Sequence, residues 1–228
     1  MAQAIALLGT ANASDTDSAT YTRVVTPVDN SLLVAVSCAR DTVALAAPTV
    51  TDTGGLTWTQ RGTMAVNGGT IRIAVDTAPV VASPGSDTVT WTYGATADGC
   101  SRAVLSLTGH NTGAPLVGSV VTSNGTSTGP NVGTVASLSS PGNLQLLVVG
   151  HQRAVADATA EAGWTKLVDV AGATPAEGLA VFARAASEDT TPTATLGSSV
   201  IWGAMYFEFA EAVAASGGLP LLSFTRDL

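Results

Sequence analysis

The chain has 228 residues, of which 46% are apolar, 11% charged and 5% aromatic. A charged fraction well under half the ~25% usual for soluble domains excludes an intrinsically disordered chain, because disordered chains are polar and highly charged. Seventeen acids against nine bases give a net charge of −8, which makes nucleic acid and anionic membrane poor partners.

Mean hydropathy is +0.34, yet no apolar run approaches the ~20 residues of a spanning helix. Leu144 to Val149 is interrupted by Gln145, and Leu32 to Ala39 by Ser37. At the N-terminus, Ala11-Asn12-Ala13 has the small-residue look of a signal-peptidase site. No basic residue precedes it and the apolar stretch is short, so a cleaved signal is not expected. Cys38 and Cys100 make neither a disulfide framework nor a zinc site and read as small apolar residues.

Strands are expected along the whole chain, because β-branched and aromatic residues alternate between Gly, Pro, Asn, Asp and Ser clusters. In order they cover 5–11, 20–26, 32–39, 58–65, 70–77, 88–93 and 101–108, then 116–122, 132–137, 144–151, 165–170, 179–185, 192–196 and 201–209. Ile71, Ile73 and Val75 alternate with Arg72, Ala74 and Asp76, the pattern of a strand with one wet face. Asn67-Gly68-Gly69 is a hairpin signal. Residues 154–162 read as a short helix or a connecting loop.

The two halves repeat each other. Asn30 to Arg40 aligns with Asn143 to Arg153, and Trp58 with Trp164 after a Gly-containing turn. Ile71 to Val75 aligns with Leu179 to Ala183. Ala103, Leu105 and Leu107 fall where Met205, Phe207 and Phe209 do. The expected fold is all-β: two tandem pseudo-repeat β-sandwich modules of jelly-roll or Ig-like type, with about seven strands each. The expected division is 1–109, 110–212 and a C-terminal arm, 213–228. One continuous sandwich is the alternative. Antiparallel pairing of the strands at 32–39 and 101–108 would bring Cys38 and Cys100 close together.

Leu33–Val36, Leu56–Thr59, Leu146–Val149, Gly163–Thr165 and Met205–Phe209 carry a family resemblance. The order is an apolar strand, a Gly/Trp/Thr turn, an alternating strand and a closing Phe-x-Phe strand. It resembles phage-encoded jelly-roll or sandwich proteins among capsid-decoration, fibre and tail components, and segments of bacterial surface proteins. The resemblance spans about residues 4 to 212. It implies a virion or surface role, with assembly in the host cytoplasm, and it carries over no catalytic residue.

The chemistry-bearing patterns are weak. Gly125-Thr-Ser127-Thr-Gly129 fits a nucleophile elbow, but Pro130 and Gly133 follow where a helix is required, so a loop is expected. His110 and His151 are expected at exposed strand ends. Asp15-x-Asp17 and Glu188-Asp189 do not face one another as glycosidase carboxyls must. With Asn12, the first pair lacks the loop Gly and terminal Glu of a calcium loop. No enzyme activity, cofactor or metal is expected. Trp58 and Trp164 are candidates for stacking on a glycan or for plugging the core rim. Leu219, Leu221, Leu222 and Phe224 make the final segment too apolar for a solvated tail, so it is expected to dock on a neighbouring subunit. The expected function is a virion structural protein that binds copies of itself and other virion proteins. The alternative is a carbohydrate- or receptor-binding surface module, with a host-surface glycan as partner.

Overall fold

The computed structural model describes residues 2–82, 85–185 and 187–212. Among them are fifteen strands, one 3-10 turn and no α-helix. The first copy holds β1 (Ala4–Leu7), β2 (Ser18–Val25), β3 (Ser31–Arg40), β4 (Thr49–Thr51), β5 (Thr59–Val66), β6 (Ile71–Val80), β7 (Asp87–Ala97) and β8 (Gly99–Thr108). The second holds β9 (Leu116–Ser127), β10 (Leu144–His151), β11 (Thr159–Ala160), β12 (Thr165–Ala173), β13 (Ala176–Arg184), β14 (Ala194–Thr195) and β15 (Val200–Phe209). The protein is all-β, as its residue pattern predicts.

Two five-stranded antiparallel sheets dominate, with orders β1-β8-β3-β6-β5 and β12-β13-β10-β15-β9. Read from its other end, the second is the first with each strand replaced by its repeat counterpart. Even a register slip recurs: β5 slips against β6 between Gln60 and Gly62, and β12 slips against β13 between Lys166 and Val168. Smaller sheets, β2-β7-β4 and β11-β14, cover the outer faces.

Pairing fixes the alignment of the copies better than residue type does. Leu32 lies opposite Leu107 and Leu144 opposite Phe209, so Leu32 corresponds to Leu144. Matching Asn30 to Asn143 is therefore one residue out of step, a slip that would send every side chain to the other face. Likewise Gln60 faces Asp76 while Lys166 faces Phe182. With Trp58 on Trp164, the counterpart of Asp76 is Phe182, and that of Ile73 is Leu179.

The largest apolar core lies between the two five-stranded sheets. Leu32, Val34 and Val36 of β3, with Ile73 of β6, meet Leu146 and Val148 of β10, with Phe207 of β15. β8 packs on β12 and β13 while β5 packs on β15 and β9. The β8–β12 and β5–β15 contacts are equivalents of each other, so the copies meet as an isologous, approximately two-fold pair within one chain. Separate cores lie beneath the outer sheets. One holds Leu33, Val89 and Trp91, and the other Leu147, Phe182 and Ala194. The fold is thus four layers deep, and its central core belongs to both halves.

That depth corrects several expectations. The supposedly wet face of β6 lies under the outer sheet, where Ala74 and Asp76 are buried. Residues 154–162 form no helix, because β11 pairs with β14 there. Residues 132–137 form no strand, although Val132 and Val135 still pack into the outer core. The Gly125–Gly129 segment is no free loop. β9 runs to Ser127, whose hydroxyl accepts from the Trp202 indole at 2.9 Å. The glycine hairpin is formed as predicted, with positive φ at Asn67, Gly68 and Gly69.

β3 and β8 pair antiparallel, with Cys38 opposite Ser101 and Ala39 opposite Cys100. The cysteines are therefore diagonal neighbours on opposite faces of one sheet. Cys38 belongs to the central core and Cys100 to the outer one. The sheet lies between the two sulfurs, and both remain free thiols. Burial pushes both thiols well above their usual range, Cys100 to about 12. Neither is expected to react until the chain unfolds. Mass spectrometry after air oxidation, unfolding and alkylation should find two adducts and no internal disulfide.

Candidate functional site

At the β5 edge of the first copy, the inner and outer sheets part. The space between them is a cleft of ≈ 360 Å³ lined by Trp58, Gln60, Asp76, Pro48 and Thr49. Trp58 precedes β5, Gln60 follows it by two residues on the same face, and Asp76 sits opposite Gln60 on β6. Thr49 opens β4, which pairs with β7 in the outer sheet and stands across the gap from β5.

The loop entering β5 is pinned by two carboxylates. Asp87 Oδ1 accepts from the backbone N–H groups of Thr53 (3.0 Å) and Gly54 (2.9 Å). Asp52 accepts from the Leu56 N–H at 3.1 Å and from the Trp58 indole N–H at 2.6 Å. The indole edge is therefore fixed while the half-buried ring lines the cleft. The Gln60 amide reaches the Pro48 carbonyl at 3.4 Å, closing one wall.

Asp76 is the unusual member. It is 3% exposed, and its Oδ2 has no hydrogen-bond partner. Burial alone pushes its carboxyl up to about 7. An uncompensated buried carboxyl costs a fold several kcal/mol. In the second copy Phe182 holds this place and is buried in the apolar core beside Trp164.

Trp164 is placed differently from the glycan-stacking expectation. It is 7% exposed, and its N–H donates to Asp189 Oδ2 at 2.7 Å. Its ring fills the core under β11 and β14, so it has no face to offer a sugar. Of the two tryptophans, Trp58 lines an open cleft. The expected contacts Leu219, Leu221, Leu222 and Phe224 lie outside the described residues.

A second polar cluster sits in the seam between the halves. Glu177 of β13 is 0% exposed and accepts from the Ser101 hydroxyl at 3.3 Å, while its Oε2 has no partner. Burial, then the Asp15 charge, pushes Glu177 up to about 8, while Arg40 pulls the other way. Arg40 donates to the Ala176 carbonyl at 2.6 Å. Asp15 accepts from the Ala173 N–H at 3.0 Å, which joins the two halves.

The histidines are buried rather than exposed at strand ends. The backbone of His110 pairs antiparallel with that of Glu211, and His151 packs over Gly178. Burial pushes His151 down to about 4, so it is neutral near pH 7. Both its ring nitrogens are without partners. Asn12 Oδ1 is engaged by Arg23 at 2.6 Å, and Asp15 by Ala173. Among the described residues, no three His, Cys, Asp or Glu side chains group to hold a metal.

Asp76 was masked in the sequence by its neighbours, since an acid alternating with Ile and Val reads as solvent-facing. The apolar run Leu32–Ala39 paired with it, broken only by Ser37, was the available signal. A strand without alternation is buried on both faces, and so are the strands paired with it. Compared with family models, curated proteins and solved structures, the chain matches none.

Proposed function

We propose that the chain is a structural component of a bacteriophage virion, a capsid decoration or a tail or fibre component. On this reading it assembles with copies of itself and with other virion proteins. The observation that carries this reading is β9. It is a twelve-residue strand at the end of its sheet, and it contains no charged residue and no proline. Charge and proline are common protections of an edge against added strands. The rest of the molecule supports such a role, because its central core locks two copies of one module into a single block. An assembling partner therefore meets a fixed surface and little ordering entropy is lost.

The test uses particles made by the genome that encodes the chain. Quantitative mass spectrometry of washed virions should find the chain at a copy number set by particle symmetry. Thr122→Lys, which places a charge on the exposed edge of β9, should reduce incorporation with the unfolding midpoint unchanged. Deletion of residues 217–228 should do the same. Absence of the full chain from washed virions overturns the proposal. A carbohydrate- or receptor-binding surface module is the second reading, favoured by the Trp58 cleft.

A further inference from the structure

We propose that the cleft between β4 and β5 binds one ring of a neutral sugar, with Trp58 beneath the ring and Asp76 and Gln60 bonding its hydroxyls. This deepens the second functional reading and is independent of the first, since a sugar site can exist on a protein that is no part of a virion.

β5–β6 and β12–β13 share their pairing and their register slip. The pair Trp164 and Phe182 shows how this scaffold closes when its only task is to pack: both rings are buried in one apolar core. In the first copy the same two positions hold Trp58 and Asp76, and a cleft stands between the sheets. A scaffold that accepts phenylalanine here gains nothing from a carboxyl with an unpartnered oxygen. The arrangement makes sense when a donor arrives from outside.

The size and the walls of the cleft suit a sugar ring. The volume is at the low end of the ~300–1,000 Å³ typical of ligand sites, which suits a single ring. One aromatic, one amide, one hydroxyl and one carboxyl side chain line the cleft, beside Ala47, Pro48 and Val50. An organic cation is the competing class, and an aromatic cage for one encloses it with ring faces. Here a single ring lines the cleft, and the remaining polar groups are hydrogen-bonding ones. A sugar hydroxyl also donates to the ionised carboxyl and accepts from the protonated one, so it pairs with Asp76 in either state. A cation pairs only with the ionised form.

The aromatic wall is also preorganised. Asp52 holds the indole by its edge, and Asp87 holds the loop that carries it. A ring fixed before the ligand arrives loses little entropy on binding.

The experiment titrates the full chain with methyl glucoside, methyl galactoside, methyl mannoside and N-acetylglucosamine at millimolar concentration. Binding is followed through the four tryptophan indole N–H signals by NMR, with choline as the cation control. At least one sugar should move the Trp58 signal and leave that of Trp164 in place. Trp58→Ala and Asp76→Asn should each weaken binding about tenfold, the loss of roughly one stacking or hydrogen-bonding contact. Asp76→Asn keeps the side-chain size, so it reports on binding if Trp58→Ala fails to fold. The proposal is overturned if no sugar moves the Trp58 signal, if both variants bind as the parent does, or if only choline binds. None of these outcomes bears on virion incorporation, so the two readings fail separately.

Discussion

Glu177→Gln is expected to stabilise the protein at pH 9 by roughly 3–5 kcal/mol more than it does at pH 5, at about 1.4 kcal/mol per pKa unit. The carboxyl has no access to solvent and titrates near pH 8 in the folded chain, against an ordinary value of 4.5. Between those limits the unfolded chain has released its proton and the folded chain retains it. The stability linked to this group is therefore fully present below about pH 4.5 and is lost as pH rises through about 8. Asp15 faces the group and opposes its ionisation, while Arg40 and Ser101 favour the charged form. Asp76 acts in the same direction over a lower window, from 3.8 to about 7. His151 acts oppositely: its pKa falls from 6.5 to about 4, so its contribution is present above 6.5 and lost as pH falls through 4. Above pH 7 the Glu177 slope therefore stands alone among these three. Urea unfolding at pH 5, 7 and 9, followed by tryptophan fluorescence, measures it. If the curves for Glu177→Gln and the parent stay parallel across that range, the carboxyl is already ionised in the fold.

The duplication was legible because the two copies keep the same strand order, turns and apolar spacing. Trp58 and Trp164 mark the same turn, and the three apolar positions of β8 and β15 match residue for residue. What the sequence did not yield was the partner of each face. Apart from Ser37 and Gln145, Leu32–Ala39 and Leu144–Val149 are apolar without alternation, the mark of strands covered on both sides. Taking each half as a self-contained sandwich leaves one of those faces unexplained. The four-layer stack explains it, since one face packs against the other copy and one against a smaller outer sheet.

The candidate site was half legible. Trp58 stood out as an aromatic residue at a turn, but its match in the other copy made the two look alike. Their difference depends on a residue eighteen positions later, Asp76 in one copy and Phe182 in the other. An alignment of Ile71 with Leu179 hides that substitution, because it is two residues out of the observed register. Glu177 was equally hidden. It stands where the first copy has Ile71, and its burial is created by Ser101 and Gly99 of the other half. Neither residue adjoins it in sequence.

The face-to-face packing of the copies predicts a specific energetic coupling. Gly150 and Gly203 lie opposite each other on β10 and β15. A Cβ at Gly150 would stand 2.6 Å from Ile73 Cγ1 of the other sheet, and one at Gly203 would stand 2.8 Å from Ile73 Cδ1 and 2.5 Å from Val66 Cγ2. The paired glycines thus form a hollow in one sheet that receives the Ile73 side chain of the other. Ile73→Ala should cost about 2–5 kcal/mol, because the side chain is fully buried and the cavity is walled by strands that cannot collapse freely. Gly203→Val should also destabilise, by about 1–3 kcal/mol or more, because it overfills the same hollow. Together the two changes should cost about 1 kcal/mol less than their sum, since the alanine vacates the part of the space that Ile73 fills, while Val66 still crowds the valine. Gly203→Ala supplies the milder step if the valine variant does not fold. Denaturant unfolding of the parent, both single variants and the double variant closes the cycle. Strict additivity would mean that Ile73 and Gly203 do not touch, and the copies would then have to meet through some other face.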